Sequence, residues 1–260
     1  MHRLSVAVVF LLSAVSAVAQ QNLPASDPLA VSLAQQSVTA LTRGATVNDV
    51  TLNANVTSIF GSDNESGTAT FAAKGIGQSR IDLTLSGGTR TDVRNIVGGF
   101  PTGAWNRNGG TSTAYAGHNC WTDAAWFFPV LSSLAQTANP NVIFKYIGQE
   151  QHGGVNTQHI RAFRIVQQDT GGVFQRLSTT DFYLDATSNL PLAIAVRAHA
   201  DKDMNADIPV EVRFASYQAV SGVMVPFHFQ QMLNGGVVLD VTVTNAVFNS
   251  GLADSLFVLQ

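Results

Sequence analysis

Few side chains in this sequence could do chemistry, and their spacing argues against most of the reactions they suggest. The only cysteine, Cys120, stands two places after His118 in A-G-H-N-C-W-T-D-A-A-W-F-F-P-V-L, residues 116–131. A thiolate and its base must sit within hydrogen-bond reach, with a third group orienting the base. Residues two apart do not meet in that way and no third group is identifiable, so a small buried thiol is the expected role of Cys120. The histidines beyond His2 show no paired ligand spacing such as H-x-x-x-H. His152 and His159 fall in Q-E-Q-H-G-G-V-N-T-Q-H, which reads as a hairpin with solvated turn histidines. In D-K-D-M-N-A-D, Asp201, Asp203, Asn205 and Asp207 alternate as in the first half of a calcium loop. Ala206 replaces the turn glycine, however, and Val212 stands where a bidentate glutamate belongs, so a polar hairpin tip is expected. Asp181, Asp185 and Glu211 are expected at strand ends and turns, and no catalytic pair can be chosen from them. The sequence has no Gly-x-Ser-x-Gly, phosphate loop or nucleotide fingerprint. No enzymatic activity, metal or cofactor is expected.

The aromatic part of the same stretch points elsewhere. Trp121, Ala125 and Phe128 are spaced for one helical face, and Ala124, Phe127, Leu131 and Leu134 for another. A helix here would be apolar nearly all round, more than a one-sided surface helix needs. Core burial explains much of such a stripe. The sharper reading is a lid or wall over a concave apolar site, with Trp121, Trp126, Phe127, Phe128 and Leu131 as the candidate ligand-binding residues.

The elements that must position this segment are mostly strands. Val50, Leu52, Ala54 and Val56 alternate with polar residues, as do Ile81, Leu83 and Leu85, and again Val237, Leu239, Val241 and Val243. Asn108-Gly109, Asn189 ahead of Leu190-Pro191, and Asn234-Gly235 supply turns between such runs. Roughly ten strands at ~4.8 Å spacing would make a sheet nearly 50 Å wide, which should curl. One amphipathic helix is expected after Asp27-Pro28, with Asp27 as N-cap, Leu29, Leu33, Ala34, Val38 and Leu41 on one face, and Gly44 past its end. Pro129 divides a second helical stretch, because Phe128 before it is pushed away from helical geometry.

The chain of 260 residues opens with M-H-R and an apolar run from Leu4 to Ala19, with Ala17 and Ala19 flanking Val18. This layout predicts a signal peptide at 1–19, cleaved near Gln20, followed by a single domain over 20–260. Without residues 1–19 the balance is 13 basic against 17 acidic residues, a net charge of −4, because only Arg3 is removed. Nothing in this charge suggests nucleic acid. No later run approaches the ~18 apolar residues of a membrane span, and no cysteine follows the cut for lipid attachment. A periplasmic or secreted monomer is expected.

Three stretches carry a resemblance: F-Y-L-D-A-T-S-N-L-P-L (182–192), V-R-F-A-S-Y-Q-A-V-S-G-V-M-V-P (212–226) and T-N-A-V-F-N-S-G-L-A-D-S-L-F (244–257). In them Asp185 and Asn189 favour a tight turn, Gly222 permits another, and Phe257 reads as a plug pinning the C-terminus. This half resembles the bacterial extracytoplasmic proteins of the LolA/LolB type, the lipoprotein-localisation carriers. The resemblance implies an α+β fold, an unclosed antiparallel half-barrel whose concave apolar side is covered by the N-terminal helix and a short central helical segment. It also implies a carrier or sensor of a lipid-like ligand or acylated protein, possible partners being other envelope proteins. The alternative is a non-catalytic envelope interaction module that recruits a protein by strand addition and holds no small ligand.

Overall fold

The computed structural model describes residues 24–167, 169 and 171–259; the expected signal segment lies outside them. Each alternating stretch forms a strand with its apolar face buried. The strands are β1 (Asp49–Phe60), β2 (Asp63–Lys74), β3 (Gln78–Leu85), β4 (Gly88–Val97), β5 (Phe100–Arg107), β6 (Thr113–Ala114), β7 (Val142–His152), β8 (Val155–Arg164), β9 (Thr180–Asp185), β10 (Pro191–Ala200), β11 (Asp203–Val220), β12 (Val223–Leu233) and β13 (Gly236–Phe248). Among the described residues two α-helices accompany them, α1 (Pro28–Thr42) and α2 (Val173–Ser178). The strand number exceeds the expected ten because weakly patterned segments also pair: β5 contains Pro101 and Gly103, and β6 is two residues long.

All thirteen strands lie in one antiparallel sheet, ordered β6-β5-β4-β3-β2-β1-β13-β12-β11-β10-β9-β8-β7. The first strand is therefore central, beside the last. The chain works outward from β1 to one edge at β6, crosses to the opposite edge at β7, and works back to β13. At ~4.8 Å per neighbour a flat sheet of this width would span roughly 58 Å. The 115–141 segment bridges its two edges across the concave face, which fixes that segment over the interior of the curl. Register shifts at Asn53/Ala54, Tyr146/Gly148, His199/Ala200 and Gln231/Met232 mark bulges that increase local twist. Asn234-Gly235 turns β12 into β13 with φ of 49° and 79°, the left-handed pair that matches strand twist in a two-residue hairpin.

The helix over 28–42 forms with Leu33, Ala34 and Leu41 buried against the sheet. Asp27 occupies the N-cap position without capping. Its carboxylate instead accepts from Lys145 Nζ at 2.9 Å and from the Tyr146 backbone N–H at 3.1 Å. Its own N–H donates to the Phe144 carbonyl at 2.8 Å. The residue thus ties the start of α1 to edge strand β7 and satisfies groups that the edge would leave open.

The central segment is helical only as 3₁₀ turns, at Gly117–Cys120, Pro129–Leu131 and Ser133–Ala135. The expected α-helical turns give way because Phe128 is extended before Pro129 and Ser132 is extended after it. Local side-chain bonds replace the helical ladder: Ser132 Oγ donates to the Pro129 carbonyl at 2.7 Å and accepts from the Leu134 N–H at 3.2 Å. On the opposite face of the sheet, Phe257 is 1 % exposed beside β3 and β4. The tail leading to it is held by Asp49, whose carboxylate accepts from the backbone N–H groups of Ser250 at 2.8 Å and Gly251 at 2.9 Å.

Candidate ligand-binding site

Between the two arms of the curl lies a cavity of about 490 Å³, a size typical of small-ligand sites. Period two in the strands decides what it sees. Ile81 and Leu83 of β3 face Val210 and Val212 of β11, and Leu239 of β13 lies between the arms. Trp126 covers this apolar part, with its ring edge-on to Phe71 at 6.2 Å and to Phe229 at 6.1 Å.

Much of the cavity's charge lies on β4. Arg90, Asp92 and Arg94 are alternate residues of β4 and present one face of the strand to it, together with Tyr115 and Thr122 from the crossing segment. Arg90 grips Asp92 in a fork, with Nε–Oδ2 at 2.9 Å and Nη2–Oδ1 at 3.1 Å, and the Tyr115 hydroxyl also donates to Asp92. Burial raises the Asp92 carboxyl pKa, opposed by the positive charge of Arg90. Arg94 is held more loosely. Its Nη2 is 3.4 Å from Thr122 Oγ1 and 3.5 Å from the Thr122 carbonyl, and its guanidinium stands 5.9 Å from the Tyr115 ring centroid. Arg94 is half-buried, and burial lowers its pKa.

Of the five candidates from the sequence, Trp126 lies on the cavity wall. Phe127 and Phe128 are fully buried and Leu131 is 3 % exposed, all within the main core. Trp121 packs its ring 4.5 Å from that of Phe174 in α2. The residues missed are Arg90, Asp92 and Arg94. A charged alternate face in T-R-T-D-V-R reads as a solvent face, and only the curl turns it inward. The segment is stitched down by Asn119, whose side chain pairs with the His199 backbone through two 2.8 Å hydrogen bonds, as a strand neighbour would. Cys120 is 2 % exposed, its thiol 3.8 Å from the Ala116 carbonyl, and burial raises its pKa.

The remaining polar clusters are taken up by internal pairing. Asp207 receives Arg176 at 3.1 Å and His199 at 3.1 Å, while Asp203 accepts the Asn205 N–H, so the D-K-D-M-N-A-D tip fastens α2 to the β10–β11 hairpin. No group of three or more metal-binding side chains occurs among the described residues. His152 and His159 do lie in a hairpin, turned at Gly153-Gly154, but neither is a solvated turn residue. His159 is 7 % exposed because β8 continues as an interior strand, pairing it with Tyr183 across β9. It bridges Asp181 at 2.9 Å and Glu150 at 2.5 Å, while His152 meets Glu211 at 3.2 Å and stacks on Tyr183 at 4.0 Å. Asp181 and Glu211 were expected at strand ends and turns. They share a shallow trough of about 360 Å³ on the outer face instead, because the small Ala195 of β10 separates them in one cross-strand row. Arg161 forks Asp181 at 2.8 and 3.1 Å. Burial and the nearby Asp181, Glu150 and Glu211 carboxylates push the Tyr183 pKa up to about 12, which keeps its phenol protonated.

No protein-family model matches the sequence, and no curated protein matches it. Solved structures do. A domain assigned to outer membrane lipoprotein sorting from Vibrio parahaemolyticus is similar at TM-score 0.55 and 12% identity, over 88% of this chain and 96% of that one. A DUF1329 family protein from Desulfovibrio piger reaches TM-score 0.57 at 11% identity, over 91% and 100%. A LolA superfamily protein from Nitrosomonas europaea reaches 0.53 at 9% identity, over 88% and 97%. This chain therefore has the LolA-like fold, an unclosed antiparallel sheet curled around a concave face that a helix and a 3₁₀ segment cover.

Proposed function

We propose that this protein is a periplasmic or secreted binding protein that holds a lipid-like ligand, or the acyl chain of a lipoprotein, as a carrier or sensor. The observation that carries this reading is the cavity: about 490 Å³ in volume, walled by Ile81, Leu83, Val212 and Leu239, and roofed by Trp126. Apolar surface of this kind favours an apolar occupant, by about 25 cal/mol for each Å² withdrawn from water. The fold shared with a lipoprotein-sorting domain and a LolA superfamily protein supports the same class of ligand. Trp126 contacts the ligand in this reading, whereas Phe127, Phe128 and Leu131 hold the roof in place from below and Trp121 anchors it to α2. The cavity's function is binding, and no reaction is assigned to it. Among the described residues no helix is long and apolar enough to cross a membrane.

The test is native mass spectrometry of the protein purified from its own envelope fraction without detergent, with lipid analysis of an organic extract. An acyl-containing species at about one per protein supports the proposal. A protein that is empty and copurifies with another envelope protein would transfer support to the interaction module.

A further inference from the structure

We propose that the cavity takes a lipid whose head is an oxyanion, a carboxylate or a phosphate, and that Arg94 is the residue that binds it. This rests on the binding function proposed above and adds the chemistry of the ligand's polar end. The arginines around the cavity differ in one respect. Arg90 is forked onto Asp92, and Arg197 is 3.5 Å from Asp207. Arg94 forms no ion pair among the described residues, and its two contacts to Thr122 are long for charged hydrogen bonds.

The carboxylates near it are already committed. Asp92 serves Arg90 and the Tyr115 hydroxyl. Asp123 accepts the Ser133 hydroxyl at 2.7 Å besides facing Arg164. On the opposite wall Asp201 is exposed at its turn. Arg90, Asp92 and Arg94 together leave one positive charge in excess. A half-buried cation that has shed part of its water and holds no ion-pair partner is costly, and a ligand oxyanion supplies what it lacks. The planar guanidinium suits carboxylate and phosphate alike. The division of the lining gives the ligand its direction. Around Arg94 the lining is polar, with Ser79, Tyr115, Asn119 and Thr122, and Arg197, Asp201 and Gln231 lie on the far arm, whereas Ile81, Leu83, Leu239 and Trp126 form an apolar stretch; a head placed at Arg94 runs its chain toward Leu83, Leu239 and Trp126.

The test measures binding of oleate, 1-oleoyl lysophosphatidate and neutral oleyl alcohol by calorimetry, each below its aggregation threshold. The proposal expects at least one of the two anions to bind about tenfold or more tightly than the alcohol. In Arg94→Gln that preference should vanish while oleyl alcohol affinity stays within about twofold. Arg94→Lys, which keeps the charge, should retain part of it. Stronger binding of oleate identifies a carboxylate head, and stronger binding of the lysophospholipid a phosphate. Equal affinity of all three for the native protein overturns the proposal and leaves the binding function standing, as does a preference that survives Arg94→Gln. If none of the three binds, the binding function itself fails. The comparison of head groups on the native protein stands even if Arg94→Gln does not fold.

Discussion

Neighbouring aromatic residues in A-A-W-F-F-P do different work. Phe127 is fully buried in the core, whereas Trp126 is partly buried with one side on the cavity. Phe127→Ala should therefore cost about 3–5 kcal/mol of stability, seen as a lower midpoint in urea. Trp126→Ala should lose about 1.5–3 kcal/mol of affinity for an alkyl ligand and unfold closer to the native midpoint. The assignment fails if the two substitutions exchange these effects. Cys120 gives an independent check on the roof. Because burial raises the pKa of its thiol, less thiolate is present at pH 8 than for a free cysteine, and access is blocked as well. A disulfide reagent should label Cys120 slowly in the folded protein and fully after denaturation. Fast labelling of the native state would mean that the 116–121 stretch opens.

Among the elements, the C-terminal tail depends on one carboxylate. Asp49 is 3 % exposed at the start of β1 and gathers the N–H groups that launch the tail toward Phe257. Burial alone would raise its pKa, but the hydrogen bonds from Ser250 and Gly251 prevail and hold it below the usual 3.8. A depressed folded-state pKa means that the stabilisation is complete above 3.8 and disappears as pH falls through the lower folded value. Asp49→Asn should cost about 1–3 kcal/mol at pH 7, and the difference from the native protein should shrink at acid pH. A pH-independent difference in melting temperature would contradict this account. Across the molecule Asp27 ties α1 to β7. In Asp27→Ala, amide exchange should quicken at Tyr146 while the amide of Val241 in central β13 stays protected; unchanged exchange at Tyr146 would show that the edge is held by other bonds.

For the molecule as a whole, the arrangement of β1 beside β13 explains why the roof lies where it does. Each half of the chain is a run of antiparallel strands, and the chain passes from β6 to β7 across the mouth of the curl. The roof therefore joins opposite edges, and an occupant beneath it contacts both halves. A ligand that binds only the folded state should raise its stability by about 2.7 kcal/mol at a hundredfold excess over Kd. The checking measurement is a thermal scan with and without the tightest-binding of the three oleoyl compounds. An unchanged melting temperature would show that the compound does not bind the folded state in preference to the unfolded one, against a site built by the fold.

Local pattern alone determined much of the architecture. The period-two runs at 50–56, 81–85 and 237–243 formed strands, Asn234-Gly235 formed a tight turn, and Asp27-Pro28 began a helix, because each depends on backbone preferences and the burial of nearby residues. Strand adjacency had to wait for the tertiary structure, since pairing β1 with β13 joins residues almost two hundred positions apart. The same long-range closure brought Arg90, Asp92 and Arg94 of β4 to a cavity wall, and it gathered Asp181 and Glu211 into one trough. The 3₁₀ turns after Phe128 have a local cause instead, the extended residue that Pro129 imposes before it and the Ser132 side-chain bonds. A charged strand face carries no local mark of which way it will point; the sheet's curl decides that.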